Sequence, residues 1–219
     1  MNCWQQLSPT EGIWVLRDLW TAAETAKWFG MLKEQLHPLL ATNERQVVLN
    51  GPNVKEPRDV FYQSLEKVAN LKYAAVNYPP TPMISSVHSI LNQLKKHFQL
   101  QPNIQQFEWA KLSTKLNCVL INVYPKETDR MGAHADNNDY IDCNKLIVSI
   151  SFGATRTFQL LENHKRTEGT CKVLFETLVN SGDIIIMYGE SVQRTFKHAV
   201  PRGTAGLRIN LSFRCHKSK

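Results

Sequence analysis

Features of membrane-bound and secreted proteins are missing from this sequence of 219 residues. No apolar run approaches the roughly 20 residues that cross a bilayer, and no signal peptide is recognisable. The five cysteines are odd in number and lack Cys-x-x-Cys spacing, which favours free thiols in a reducing compartment. We therefore expect a soluble intracellular protein without a membrane partner, located in the nucleus if the source is a eukaryote and otherwise in the cytoplasm.

Internal repeats, low-complexity stretches and linkers are also missing, so the sequence predicts one domain over residues 1–219. Its 42% hydrophobic and 21% charged residues are ordinary for a globular protein with a sizeable core. What the chain has in excess is positive charge, because 26 Lys and Arg against 19 Asp and Glu give a net charge of +7. This surplus favours a polyanionic partner such as nucleic acid, although many basic proteins bind none.

The secondary-structure signals change near residue 117. A capping box that starts at Thr21 predicts a helix to about residue 36, and helical spacing of apolar residues predicts a second helix over about 83–98. Beyond residue 117, short segments rich in Val, Ile and Phe predict strands at 118–124, 146–152, 157–161, 172–178, 183–187 and 208–214. The order predicts an α+β, β-rich fold, in which residues 1–116 provide supporting helices and residues 117–219 form an antiparallel jelly roll, or double-stranded β-helix.

The last predicted strand, 208–214, has two chemically different faces. Successive side chains of a strand point to opposite sides, so Arg208, Asn210, Ser212 and Arg214 share one face. The other face is apolar and indicates core. Two arginines on an inward face are costly unless a buried anion balances them. This pattern predicts a pocket for a small carboxylate ligand.

A candidate metal site lies upstream of that strand. His134 and Asp136 lie two residues apart, on one face of an extended segment with Cα atoms roughly 7 Å apart, and His198 can complete a set of two imidazoles and one carboxylate. That set is typical of non-haem Fe(II) oxygenases. An isolated His-x-Asp is more often ordinary surface chemistry, but His198 and the paired arginines beyond it favour the iron site.

These motifs resemble those of the AlkB-like Fe(II)/2-oxoglutarate dioxygenases, which oxidatively remove alkyl groups from nucleic-acid bases. The resemblance rests on Asn122-Val123-Tyr124, His134-Ala135-Asp136, His198 and the segment 208–214, and extends more loosely over nearly the whole chain. It implies Fe(II) and 2-oxoglutarate as cofactors, with iron bound by the two histidines and Asp136. It also assigns the distal carboxylate of 2-oxoglutarate to Arg208, the metal-proximal end of that molecule to Arg214, and further hydrogen bonds to Asn122, Tyr124 and Asn210.

The implied reaction is demethylation of N-alkylated bases with O2, releasing formaldehyde, as in repair of 1-methyladenine or 3-methylcytosine. The resemblance favours DNA over RNA as the substrate, and we expect a monomer. The alternative is an Fe(II)/2-oxoglutarate hydroxylase or demethylase that acts on RNA or on a protein.

Substrate contacts are the least specific part of the resemblance. The segment 45–78 corresponds to the family's lid over the nucleotide, in which Arg58 and Tyr62 are candidate contacts. Asn138 stands where many DNA-repair members have an acidic residue near the base. Three basic residues flank His198 and are candidates for phosphate contacts, and they are Arg194, Lys197 and Arg202.

Overall fold

The computed structural model describes residues 4–6, 12–43, 45, 55–73, 76–101, 107–136, 146–163 and 171–216. Its strands are β1 Trp4–Gln6, β2 Ile13–Leu16, β3 Asp59–Ser64, β4 Leu71–Tyr73, β5 Val76–Tyr78, β6 Thr81–Pro82, β7 Cys118–Tyr124, β8 Met131–His134, β9 Ile147–Gly153, β10 Arg156–Glu162, β11 Val173–Val179, β12 Ile184–Met187, β13 Phe196–Val200 and β14 Arg208–Arg214. Its helices are α1 Ala22–Thr42, α2 Ser85–Leu100, α3 Glu108–Leu112 and α4 Glu190–Thr195, with a 3-10 turn at Ser113–Lys115.

The first helix begins where the capping box predicts. The Thr21 hydroxyl accepts a hydrogen bond from the Glu24 amide at 3.2 Å, and the Glu24 carboxylate accepts one from the Thr21 amide at 2.8 Å. The helix runs six residues beyond the predicted end and contains Pro38. Leu39 and Leu40 pack against the core in this extension, so tertiary packing offsets the hydrogen bond that proline cannot donate.

Two sheets form the body of the protein, and their strands pair antiparallel except for the parallel pair β3 and β6. The major sheet has the strand order β1-β2-β12-β9-β14-β7-β3-β6, and the minor sheet has the order β11-β10-β13-β8. This arrangement, with the helices against one sheet, is the predicted β-rich jelly roll. The sequence did not predict that β2 and β3 of the N-terminal half would join the major sheet.

The apolar residues divide into a core on each side of the major sheet. On the outer side, α1 and α2 pack on Ile209, Leu211 and Phe213 of β14, as the alternation in that strand predicts. Between the two sheets, a smaller cluster includes Phe158 of β10 and Ile185 of β12. Burial of each such side chain contributes about 1.5–3 kcal/mol to the free energy of folding. This burial holds β14 in its place in the major sheet. No helix in the described ranges is long and apolar enough to cross a membrane.

Candidate active site

One wall of the site is built by three neighbouring strands, β7, β14 and β9. Arg208 lies opposite Tyr124, and Asn210 lies opposite Asn122. Because this register is antiparallel and without a bulge, all four side chains reach the same face of the major sheet. Asn122, Arg208 and Asn210 line a cavity between the two sheets, and the Tyr124 ring packs beside Arg208 behind that lining.

The minor sheet supplies two of the three candidate metal ligands, and the third, Asp136, lies two residues after the end of β8. His134 of β8 and His198 of β13 are partners in register, with ring centroids 4.3 Å apart. The Nε2 atom of His134 lies 3.6 Å from Asp136 Oδ1, and Nε2 of His198 lies 3.9 Å from Asp136 Oδ2. One donor atom from each residue falls within 4.8 Å of the others. The structure therefore brings together the three predicted side chains at a spacing that one metal ion can bridge.

The protonation states of the three side chains suit metal binding. His134 Nδ1 lies 2.9 Å from the Gly132 carbonyl oxygen, so the ring proton is held there and Nε2 keeps its lone pair toward Asp136. Burial and the neighbouring His134 lower the pKa of His198 to about 3, which leaves this imidazole neutral. Metal ligands must be deprotonated, and the lowered pKa of His198 meets that requirement at neutral pH.

Asp136 is held ionised and in place by its neighbours. Burial alone raises its pKa, but the Arg214 guanidinium and the two imidazoles outweigh burial and hold the pKa well below its usual value. Arg214 Nη2 donates to Asp136 Oδ2 at 2.9 Å. The Asp136 backbone amide donates to the Gln193 side chain at 2.8 Å. Gln193 of α4 was not among the predicted site residues, since a lone glutamine carries no sequence signal.

Arg208 is the clearest sign of an anionic ligand. Only 4% of Arg208 is exposed to solvent, and this burial lowers the pKa of its guanidinium. Nη2 donates to the Ser151 hydroxyl at 2.9 Å, and the guanidinium carbon lies 4.9 Å from the centre of the Tyr124 ring. Its Nε and Nη1 atoms are buried with no hydrogen-bond partner among the described residues. A buried cation with two unused donors fits a carboxylate ligand.

The two asparagines of the wall differ in what they can offer a ligand. Asn122 Oδ1 accepts a hydrogen bond from Arg58 Nε at 2.7 Å. Among the described residues its amide nitrogen donates to no other group, so it can donate to a ligand. Asn210 uses its amide nitrogen twice, toward Ser149 Oγ at 2.8 Å and the Ile150 carbonyl at 3.0 Å. Both hydrogens of the Asn210 amide nitrogen are therefore used within the sheet. The amide has no hydrogen left to donate to 2-oxoglutarate, as the resemblance implied it would.

Arg58 and Tyr62 do not lie where a nucleotide contact requires them. Arg58 is 1% exposed and lines the cavity, paired with Glu56 as well as Asn122. Tyr62 is 3% exposed and belongs to a small core cluster under the β4–β5 hairpin. Both precede or belong to β3, which pairs with β7. Their burial is therefore at odds with the predicted stacking and phosphate contacts, which need side chains at the surface.

The basic residues around His198 have different environments. The Arg194 side chain is 70% exposed and lies 3.8 Å from Glu190, one helical turn before it. Lys197 is half-buried with its Nζ 3.9 Å from the Cys171 sulfur, and Arg202 is exposed. Arg194 and Arg202 are thus accessible to a phosphate. Asn138 lies outside the described residues.

Ser149 and Ser151 line the cavity and were missed by the sequence analysis. They alternate on β9, an otherwise apolar strand, and face Ser212 and Asn210 of β14. Two hydroxyls at a spacing of two residues in a buried strand are a usable signal, because they mark a polar face. Gly153 ends this strand with φ +88°, and a side chain there would lie 2.3 Å from the Leu207 carbonyl oxygen, so glycine is required beside Arg208.

Comparisons with known proteins agree on the family. The sequence model of the 2OG-Fe(II) oxygenase superfamily matches residues 12–214. Alpha-ketoglutarate-dependent dioxygenase alkB homolog 3 of Homo sapiens is 27% identical over 147 residues, which cover 65% of this chain and 46% of that protein. The Mus musculus protein of the same name is 32% identical over 107 residues, covering 47% and 37%. This chain thus spans less than half the length of these relatives.

A solved structure, that of OsALKBH1, has the same fold. Its TM-score with this protein is 0.60 at 16% sequence identity, with 98% of this chain and 100% of that chain covered. At this identity the likeness concerns the fold alone.

Proposed function

This chain belongs to the 2OG-Fe(II) oxygenase superfamily and is AlkB-like, and we propose that it is a dioxygenase that oxidatively demethylates N-alkylated bases in nucleic acid. Fe(II) and 2-oxoglutarate are the cofactors of this superfamily. The observation that carries the proposal is the shared cavity, in which a His-Asp-His cluster and the unsatisfied Arg208 guanidinium face the same space. The His-Asp-His cluster can hold a metal that binds one end of a small dicarboxylate, and Arg208 can pair with the carboxylate at the other end.

Each group of residues has a separate task in this proposal. His134, Asp136 and His198 would hold the metal, and a set of two imidazoles and one carboxylate would leave it accessible to the cosubstrate and O2. Arg208 pairs with the distal carboxylate, and Tyr124 and the Asn122 amide nitrogen donate to the same molecule. Arg214 keeps Asp136 ionised and oriented at the metal-proximal end. Phe158 stacks on the His198 ring with centroids 5.8 Å apart and fixes its plane.

When bound, Fe(II) and 2-oxoglutarate supply with O2 the oxidising power that no side chain has. Hydroxylation of the N-methyl carbon gives a hemiaminal, which collapses to formaldehyde and the unmodified base. Lesions such as 1-methyladenine and 3-methylcytosine block base pairing, so they are easier to extrude from a duplex than normal bases. The net charge of +7 supports a polyanionic substrate, and DNA repair is the finer proposal within nucleic-acid demethylation.

The test is turnover on defined substrates. The protein is incubated with oligonucleotides that carry 1-methyladenine or 3-methylcytosine, with Fe(II), ascorbate and 2-oxoglutarate, and the products are measured by mass spectrometry alongside released formaldehyde. We expect loss of one methyl group per lesion with the native protein and none with His134→Ala. His88→Ala, which changes an exposed histidine of α2, serves as the matched control and should retain full turnover.

A second candidate is a hydroxylase or demethylase of RNA or of a protein, which uses the same metal and cosubstrate residues. The burial of Arg58 and Tyr62 favours a protein substrate within this candidate, because these two were the lid residues expected to contact a nucleotide. Matched RNA oligonucleotides and peptides belong in the same assay. Consumption of 2-oxoglutarate that is stimulated by RNA or peptide but not by methylated DNA would replace the DNA proposal with this one.

A further inference from the structure

A buried ion pair stands behind the cavity wall. Glu56 is 3% exposed and pairs with Arg58 Nη1, and neither residue was expected in the interior. Two buried charges lose several kcal/mol each in hydration, so such a pair is weak evidence for stability and needs another explanation. The position of Arg58 in the cavity lining directs attention to what its other nitrogens contact.

Arg58 fixes the orientation of a cavity amide. Its Nε donates to Asn122 Oδ1 at 2.7 Å, and a guanidinium has no acceptor atom. The oxygen of Asn122 must therefore face Arg58, which turns the amide nitrogen away from it. Arg58, 64 positions earlier in the chain, thus determines the direction in which the two amide hydrogens of Asn122 point.

We propose that Glu56 is a positioning residue for the 2-oxo acid cosubstrate, acting through Arg58 on the donor group of Asn122. The ion pair with Glu56 holds the Arg58 guanidinium in the position from which its Nε reaches Asn122. The inference rests on the proposed function, because it concerns the same cavity. It adds a residue that the family motifs do not include and that does not itself line the cavity.

The first measurement is cosubstrate binding without turnover. Binding of 2-oxoglutarate to the full chain loaded with Mn(II) is titrated by calorimetry in the absence of O2. Glu56→Gln should weaken binding about tenfold, which corresponds to losing roughly one hydrogen bond of average strength. In steady state with iron, KM for 2-oxoglutarate should rise by the same factor while kcat stays within about twofold. Asp183→Asn is the matched control. Asp183 is a buried carboxylate whose Oδ2 lies 3.2 Å from Arg17 Nη1, and neither residue lines the cavity.

The second measurement separates positioning from a general structural role. If Glu56 acts through Asn122, Glu56→Gln should cause no further loss of 2-oxoglutarate affinity in an Asn122→Ala background, because coupled residues are not additive. Additive losses in the double variant would overturn the proposal. If Glu56→Gln fails to fold because Arg58 is left unpaired, the doubly neutral Glu56→Gln/Arg58→Gln protein replaces it, with the same tenfold loss expected.

The outcomes distinguish this inference from the proposed function. A native protein that does not bind 2-oxoglutarate would refute the proposed function and this inference with it. A native protein that binds 2-oxoglutarate, together with a Glu56→Gln protein of unchanged affinity, would refute this inference alone. A tenfold loss that Asp183→Asn does not share, and that disappears in the Asn122→Ala background, is the result expected.

Discussion

Replacing Arg208 by methionine should remove cosubstrate binding while leaving the fold almost equally stable. Within the described part of the chain the buried guanidinium has no carboxylate partner, and desolvating such a cation costs several kcal/mol. The bond to Ser151 returns about 1.5–3 kcal/mol, and the Tyr124 ring about 2 kcal/mol. Since these contributions nearly cancel, we expect the free energy of unfolding without cosubstrate to change by less than about 1 kcal/mol, whereas breaking a paired buried charge costs about 3–5 kcal/mol.

The loss should appear only when 2-oxoglutarate is added. Truncating a buried charge-assisted pair costs about 2–5 kcal/mol, so the dissociation constant should rise about 30- to 5,000-fold. At a hundred times its dissociation constant, the cosubstrate should stabilise the native protein by about 2.7 kcal/mol, or roughly 5–11 °C in Tm. The assay is thermal unfolding with and without 2-oxoglutarate, in which the shift of Arg208→Met at the same concentration should be at most about a third of the native shift.

Arg156→Met provides the matched control for that experiment. Arg156 is another fully buried arginine, but it donates to the carbonyls of Lys126 and Glu127 and does not line the cavity. Its replacement should lower stability by about 1–3 kcal/mol, because two buried acceptors lose their donor, and should leave a cosubstrate-induced shift of comparable size. A native-like shift in Arg208→Met, or a loss of more than about 3 kcal/mol without cosubstrate, would refute the reasoning.

Three further variants address the metal, the proximal end of the cosubstrate and the partner. Asp136→Ala should abolish formaldehyde release with a near-native circular dichroism spectrum, and retained release would remove Asp136 from the metal site. Arg214→Gln should lower kcat more than it raises KM for 2-oxoglutarate, because its contact is Asp136; a 2-oxoglutarate titration in which only KM changes would contradict this. Neutralising Arg194, Lys197 and Arg202 together should reduce the log–log salt slope of binding to a methylated duplex by roughly 0.9 per lost phosphate contact, and an unchanged slope would assign these charges to solvent.

The parts of the site that depend on the alternation of side chains within one strand could be predicted from the sequence. In β14, alternation alone separates the polar face, with Arg208 and Arg214, from the apolar face that packs on α1 and α2. The same local argument placed His134 and Asp136 together, whereas His198 was added because a second imidazole completes an iron-binding set, and no local spacing links it to the other two. Strand register converts these short-range patterns into a shared cavity.

The parts that depend on pairing between distant segments could not be predicted. Residues 58–64 read as an irregular, polar and aromatic stretch, yet β3 pairs with β7 and is almost wholly buried on both faces. Only that pairing brings Arg58 to Asn122, and no local spacing encodes it. Tyr62 was misread for the same reason, since an aromatic residue in a polar segment suggests a surface contact until a neighbouring strand covers it.

The charges of the cavity decide which way a dicarboxylate can enter it. Three arginines line the cavity, and they are Arg58, Arg208 and Arg214. Arg58 is neutralised by Glu56 and Arg214 by Asp136, whereas Arg208 has no carboxylate partner among the described residues. An incoming anion therefore gains most at Arg208, because only there does it compensate a buried charge. Pairing one carboxylate at that point leaves the other end of the molecule toward the His-Asp-His cluster, so charge compensation alone favours a single orientation of the cosubstrate.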